Sequence, residues 1–101
     1  MPELPEVETV VTDLRPHLVG RTVTRCELPF PAIVRYPEPE QFARALAGML
    51  IESAGRRGKY ILLGLRGGLV LVVHLGMTGH LRIVDPSAPR ESHTHAVLGL
   101  D

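Results

Sequence analysis

The sequence predicts an α+β fold with β dominant: an antiparallel β-sandwich flanked by an N-terminal helix and a second short helix. Three observations predict it. Apolar residues between Leu4 and Leu18 recur at three- and four-residue steps. From residue 22 onward the apolar positions fall into short segments of strand length. The Gly67-Gly68 pair and a proline-punctuated stretch over 29–39 break up those segments. At 101 residues the chain reads as one domain, residues 1–101, able to bury about 60–70% of its unfolded surface.

Leu4, Val7, Val10, Val11, Leu14 and Leu18 share one helical face. Pro5 suits a first-turn position, where its missing N–H has no helical partner. Glu6 and Glu8 sit where the positive end of the helix dipole favours acids. Pro16 and Gly20 are stop signals, and Pro16 is expected to cost the last turn. Residues 22–28 read as a strand, followed by a proline-punctuated stretch over 29–39. Residues 40–47 form a second helix ended by Gly48, and residues 49–53, 60–65, 69–75 and 80–84 read as strands. Gly67-Gly68 marks a tight hairpin, and residues 95–100 read as one last strand.

Composition excludes several classes. A chain with 45% hydrophobic and 22% charged residues is globular rather than disordered. The longest apolar run, residues 69–73, is far short of the ~20 needed to cross a bilayer, so no membrane association is expected. No basic region followed by an apolar core opens the chain, so a cytoplasmic location is expected. The lone Cys26 excludes an internal disulfide and a multi-cysteine zinc site built by this chain alone. Eleven Lys+Arg against eleven Asp+Glu give zero formal charge, which argues against wrapping nucleic acid by bulk charge. Residues 51–101 nevertheless hold six bases and four acids, gathered around Arg56, Arg57 and Lys59 and followed by His74, His80, His93 and His95. Any nucleic-acid contact must be local or shared.

The N-terminus is the most unusual chemical feature. A small second residue such as Pro2 permits removal of Met1, leaving a secondary amine. An α-amino group titrates near 7.7–8.0, against about 10.4 for lysine, so roughly a tenth is neutral at pH 7. A neutral amine can attack an electrophilic sugar carbon and form an iminium. A helix starting just downstream would depress that pKa further and attract phosphate. Glu3 lies beside it as a candidate proton carrier. The same residues also read as a well-capped helix start. The stretch Gly55-Arg56-Arg57-Gly58-Lys59 could bring cations to phosphates, or form a solvated turn between strands. His74-Leu75-Gly76-Met77-Thr78-Gly79 ends an apolar strand; Met77 could tip a wedge and His74 reach a phosphate, or both could be core residues. His93 and His95 alternate on an expected strand, but no carboxylate or thiolate pattern completes a metal site there.

Met1-Pro-Glu-Leu-Pro-Glu-Val-Glu-Thr-Val10 resembles the opening of bacterial formamidopyrimidine-DNA glycosylase, also called 8-oxoguanine-DNA glycosylase. Pro16-His17-Leu18-Val19-Gly20 resembles that family's helix end. Arg56-Arg57-Gly58-Lys59-Tyr60 resembles its lysine loop, and His74 to Gly79 its wedge loop. Order and spacing agree across essentially the whole chain. The opening is closer to this family than to the sister branch acting on oxidised pyrimidines, which departs after the first Pro-Glu.

The resemblance implies the N-terminal catalytic domain of a bifunctional DNA glycosylase and AP lyase of base excision repair. Its substrate would be damaged double-stranded DNA, with an oxidised purine such as 8-oxoguanine or formamidopyrimidine turned out of the duplex. It implies that Pro2 attacks the sugar as a Schiff-base nucleophile, Glu3 acts as acid/base, and Lys59 serves the damaged nucleotide and its phosphates. Glu6 would support the site, His74, His93 and Arg57 would bind DNA, and Met77 would fill part of the gap in the stack. The segment around His93 resembles the family's only loosely. The family chain continues into a helix-two-turn-helix element and a four-cysteine zinc finger, which carry most of the basic surface. No cofactor is therefore expected within these 101 residues. The alternative expectation is a truncated, non-catalytic remnant acting as a weak DNA-binding or interaction module. Self-association through the surface left by the missing part is then expected.

Overall fold

The computed structural model describes residues 4–101. In chain order the elements are α1 (Leu4–Leu18), β1 (Val23–Glu27), a 3-10 turn (Pro31–Ile33), α2 (Pro39–Leu46), β2 (Ile51–Arg57), β3 (Tyr60–Leu65), β4 (Val70–His74) and β5 (Val97–Leu100). Both sheets are antiparallel, in the orders β2-β3-β4 and β1-β5. The class is α+β, as the sequence predicts. The chain divides into two compact units, one built from residues 4–21 and 50–84 and the other from residues 22–49 and 85–101.

In the first unit α1 lies on one face of the three-stranded sheet. Val7, Val11, Leu14 and Leu18 are buried, the face that the three-and-four spacing marks out. Ile61, Leu63 and Leu65 alternate inward along β3, and Leu71 meets Leu63 in register on β4. Ile51 and Ala54 are both buried although they lie three positions apart, an odd step that alternation would place on opposite faces. A register shift between Ile51 and Ser53 explains this: a bulge adds a residue to β2 and restores both side chains to one face.

The expectations for Pro16 and for residues 80–84 fail in this unit. Pro16 does not end α1, which continues to Leu18 with Val19 N–H donating to Arg15 O at 3.0 Å. Pro16 and Thr12 are both exposed, so water can satisfy the carbonyl that proline leaves unbonded, while burial of Leu18 holds the last turn. Residues 80–84 form no strand. Their alternation lacks a ladder partner, since β4 pairs with β3 alone among the described residues, and Ile83 and Val84 stay exposed.

In the second unit β1 pairs with β5 in the register Val23↔Leu100 to Glu27↔Val97. Leu46 of α2 and Val23 of β1 supply buried apolar side chains. Gly48 follows α2 at φ +85, the left-handed position where a chain leaves a helix most readily as glycine. Val23 and residues 48–49 then exchange backbone bonds, Gly48 N–H to Val23 O at 2.7 Å and Val23 N–H to Met49 O at 2.8 Å. Glu27 accepts from Arg25 Nε at 2.8 Å and Arg90 Nη2 at 2.7 Å, and these two bonds hold its carboxyl below the usual glutamate range. Cys26 is half-buried, and burial, aided by the neighbouring Glu27 charge, pushes its thiol up. His93 does not alternate with His95 on a strand. It occupies a turn at φ +65, before β5 begins, while the His95 ring packs on Phe30 with centroids 5.1 Å apart.

Candidate functional site

Three contacts fix the direction of α1 along β2. Gly20 N–H donates to Ile51 O at 2.8 Å, and Arg15 Nε to Ala54 O at 2.8 Å. Arg56 Nε donates to Glu8 Oε1 at 2.9 Å. Helix and strand therefore run in opposite senses, and the first turns of α1 lie at the end of the sheet where β2 turns into β3. The β2–β3 turn itself is tight, because Arg57 and Tyr60 are paired and only Gly58 and Lys59 lie between them. Gly58 has φ +60 at the first loop position, the geometry that two-residue hairpins reserve for glycine. Lys59 is thereby carried at the hairpin tip, half-buried between exposed neighbours.

The cationic run is split by strand alternation rather than presented as one loop. Gly55, Arg56 and Arg57 belong to β2, contrary to the expectation of a turn. Arg56 has the parity of Ala54, faces α1, and is committed to Glu8 and to Gly58 O. Arg57 has the opposite parity. Its register partner is Tyr60, whose partner on β4 is His74, so the three residues form one row across the outward face of the sheet. The Tyr60 and His74 rings are in contact, with centroids 5.0 Å apart and planes at 39°.

Beyond His74 the chain leaves the sheet in a tight loop closed by Gly79 N–H donating to Leu75 O at 2.8 Å. Met77 rides the tip of that loop with 83% of its surface exposed, which makes it a projecting side chain rather than a core methionine. Glu6 and Val10 of α1, with Leu75 and residues 77–82 of the loop, line an open groove of about 310 Å³, with Met77, His80 and Arg82 among its walls.

Of the residues singled out in the sequence, Glu6, Arg57, Lys59, His74 and Met77 all belong to the first unit, and connectivity gathers them at one end of it. Pro2 and Glu3 lie outside the described residues. His93 belongs to the second unit, exposed in its turn. Sequence reasoning assigned no role to Tyr60 or to the groove residues His80 and Arg82. The row follows from the register of β3 against β2 and β4, which strand parity alone does not fix. No group of three or more His, Cys, Asp or Glu side chains converges to hold a metal among the described residues.

Comparison with known proteins agrees with this architecture. The family model described as formamidopyrimidine-DNA glycosylase N-terminal domain matches residues 1–101. The formamidopyrimidine-DNA glycosylase of Moorella thermoacetica is 48% identical over 100 residues, covering 99% of this chain and 36% of its own. That of Symbiobacterium thermophilum is 48% identical over 101 residues, covering 100% of this chain and 33% of its own. The chain thus spans about a third of the length of the curated relatives it matches. Among solved structures, wild-type Lactococcus lactis Fpg in complex with DNA containing N7-benzyl-Fapy-dG superposes with a TM-score of 0.93 at 37% identity. That match covers 98% of this chain and 36% of the other. The Lactococcus lactis protein bound to Fapy-dG-containing DNA gives 0.92 at 37% identity, covering 97% and 37%.

Proposed function

The chain belongs to the formamidopyrimidine-DNA glycosylase family, whose N-terminal domain it matches throughout, and on that basis we propose that it carries the nucleophilic half of a base-excision site for oxidised purines. The observation that carries the reading is the gathering of Glu6, Lys59, His74 and Met77 at the end of the first unit where α1 begins. Pro2 and Glu3 immediately precede that helix in sequence.

The proposed chemistry starts at the Pro2 nitrogen. Its lone pair attacks C1′ of the damaged nucleotide, the C1′–N bond breaks, and the base departs with the electron pair and takes up a proton. Glu3 delivers a proton to the ring oxygen as the sugar opens, and loss of the amine proton leaves an iminium. The cationic nitrogen acidifies the neighbouring C2′–H. Removing that proton expels the 3′ phosphate, and a second elimination expels the 5′ phosphate. Water then releases the sugar fragment and returns the free amine.

Lys59, at its hairpin tip, supplies positive charge to the phosphates and a proton to a leaving oxygen. Arg57 and His74 donate to backbone phosphates, and Met77 enters the space vacated by the extruded nucleotide. Glu6 lies in the groove wall beside the Met77 loop, where its carboxylate can orient groups on the extruded base. His93 is an exposed donor of the second unit, available to a phosphate.

The test is base release and strand cleavage from a duplex carrying one 8-oxoguanine. Lys59→Met is expected to slow excision by about 10²-fold or more, the contribution of a positioned acid or base. Excision at the wild-type rate by that variant would remove Lys59 from the mechanism.

A further inference from the structure

Tyr60 is a large aromatic residue that the fold keeps out of the core. It belongs to the central strand of its sheet, yet 52% of its surface is exposed, whereas Ile61, Leu63 and Leu65 beside it are buried. Strand parity turns it to the outward face, and register fixes its neighbours as Arg57 on β2 and His74 on β4. Directly opposed side chains in antiparallel strands stand about 4.5–5.5 Å apart at Cβ, close enough for each to limit the other's rotamers. The tilted Tyr60–His74 ring contact at 5.0 Å is that limit realised.

An exposed histidine at a strand end is ordinarily free to choose among rotamers, and ordering it on a ligand costs side-chain entropy. A ring already packed against a neighbour has lost much of that freedom. We propose that Tyr60 is a positioning residue: by packing against the His74 imidazole at the end of β4, it pre-sets the direction in which that ring donates to a DNA phosphate. The inference rests on the proposed function for its ligand, but the ring contact stands independently of it. Tyr60 acts through His74 and needs no contact with the reacting sugar.

The test compares wild type, Tyr60→Phe, Tyr60→Leu, His74→Ala and the Tyr60→Leu/His74→Ala double variant. The first readout is the NMR shift of the His74 ring protons in the free protein. The Tyr60 ring current displaces them in wild type and in Tyr60→Phe, and the displacement disappears in Tyr60→Leu. The second readout is affinity for a duplex carrying a stable abasic analogue. Tyr60→Leu is expected to weaken binding about three- to tenfold, the cost of ordering one side chain that is no longer pre-set, with Tyr60→Phe within about twofold of wild type. The double variant should bind no worse than His74→Ala. Leucine at this half-exposed position leaves the buried face of β3 intact, and the amide spectrum verifies the fold. An unchanged His74 signal in Tyr60→Leu overturns the proposal, as does a Tyr60→Leu penalty that persists without His74. If the wild-type chain fails to bind, the proposed function falls with the DNA arm of this inference, and the ring-proton shifts still decide whether Tyr60 holds the imidazole.

Discussion

At the scale of single residues, the placement of Lys59 depends on its neighbour. Gly58 adopts φ +60, a conformation that costs a side-chain-bearing residue about 1–2 kcal/mol. Space is not the obstacle, because a Cβ there would meet no atom within 4 Å. Gly58→Ala is therefore expected to destabilise the chain by about that amount in denaturant melts, through backbone strain alone, and to shift the Lys59 amide signals. Part of this was legible in sequence. The glycines and cations of residues 55–59 were visible, but they read as one loop. Strand β2 instead runs through Arg57, so Arg56 turns to Glu8 under α1 while Arg57 turns away. Composition cannot show that division; only the register against Tyr60 does.

At the scale of elements, α1 was the most legible, because a helix that buries one face must repeat its apolar residues at three and four. Val7, Val11, Leu14 and Leu18 obey, and all are buried. Leu14→Ala is expected to cost about 2–4 kcal/mol by opening a cavity against the sheet, whereas the exposed Thr12→Ala should change stability by less than about 0.5 kcal/mol. Equilibrium unfolding of the two variants checks the contrast. Strand β3 was equally legible as an apolar segment of strand length, although the alternation lies in its burial and not in its sequence, where Leu62 is as apolar as the buried Ile61 and Leu63. Residues 80–84 show the limit of the same reasoning. Alternation describes a strand only where a neighbour offers a ladder, and the tight loop over 75–79 carries the chain away from β4. His93 failed for a related reason: its strand-like context gives way to a turn before β5 begins.

At the scale of the whole molecule, a formal charge of zero conceals local arrangements that respond to pH. Glu27 is held below its ordinary range chiefly by hydrogen bonds from Arg25 and Arg90, and Asp85 by the Ser87 hydroxyl and backbone N–H. Both carboxyls have lowered folded-state values. Their contribution is present above the unfolded carboxylate range of about 4 and is lost as pH falls through the folded values. The stability these two carboxyls contribute should therefore stay constant from neutral pH down to the mid-acid range and decline below it. Glu27→Gln is expected to flatten part of that acid limb in thermal melts between pH 7 and 3, with the difference shrinking in high salt because the pairs are exposed. A variant with an unaltered acid limb would show that the Arg25–Glu27–Arg90 cluster contributes nothing at equilibrium.

The proposed chemistry turns on whether the leading amine can bond to deoxyribose. Borohydride reduction of the Met1-processed chain incubated with abasic-site DNA, followed by peptide mapping of the product, reads this directly. The predicted result is a reduced covalent adduct on the Pro2 nitrogen. An intact proline terminus that yields no adduct, or an adduct mapped to Lys59 instead, would contradict it.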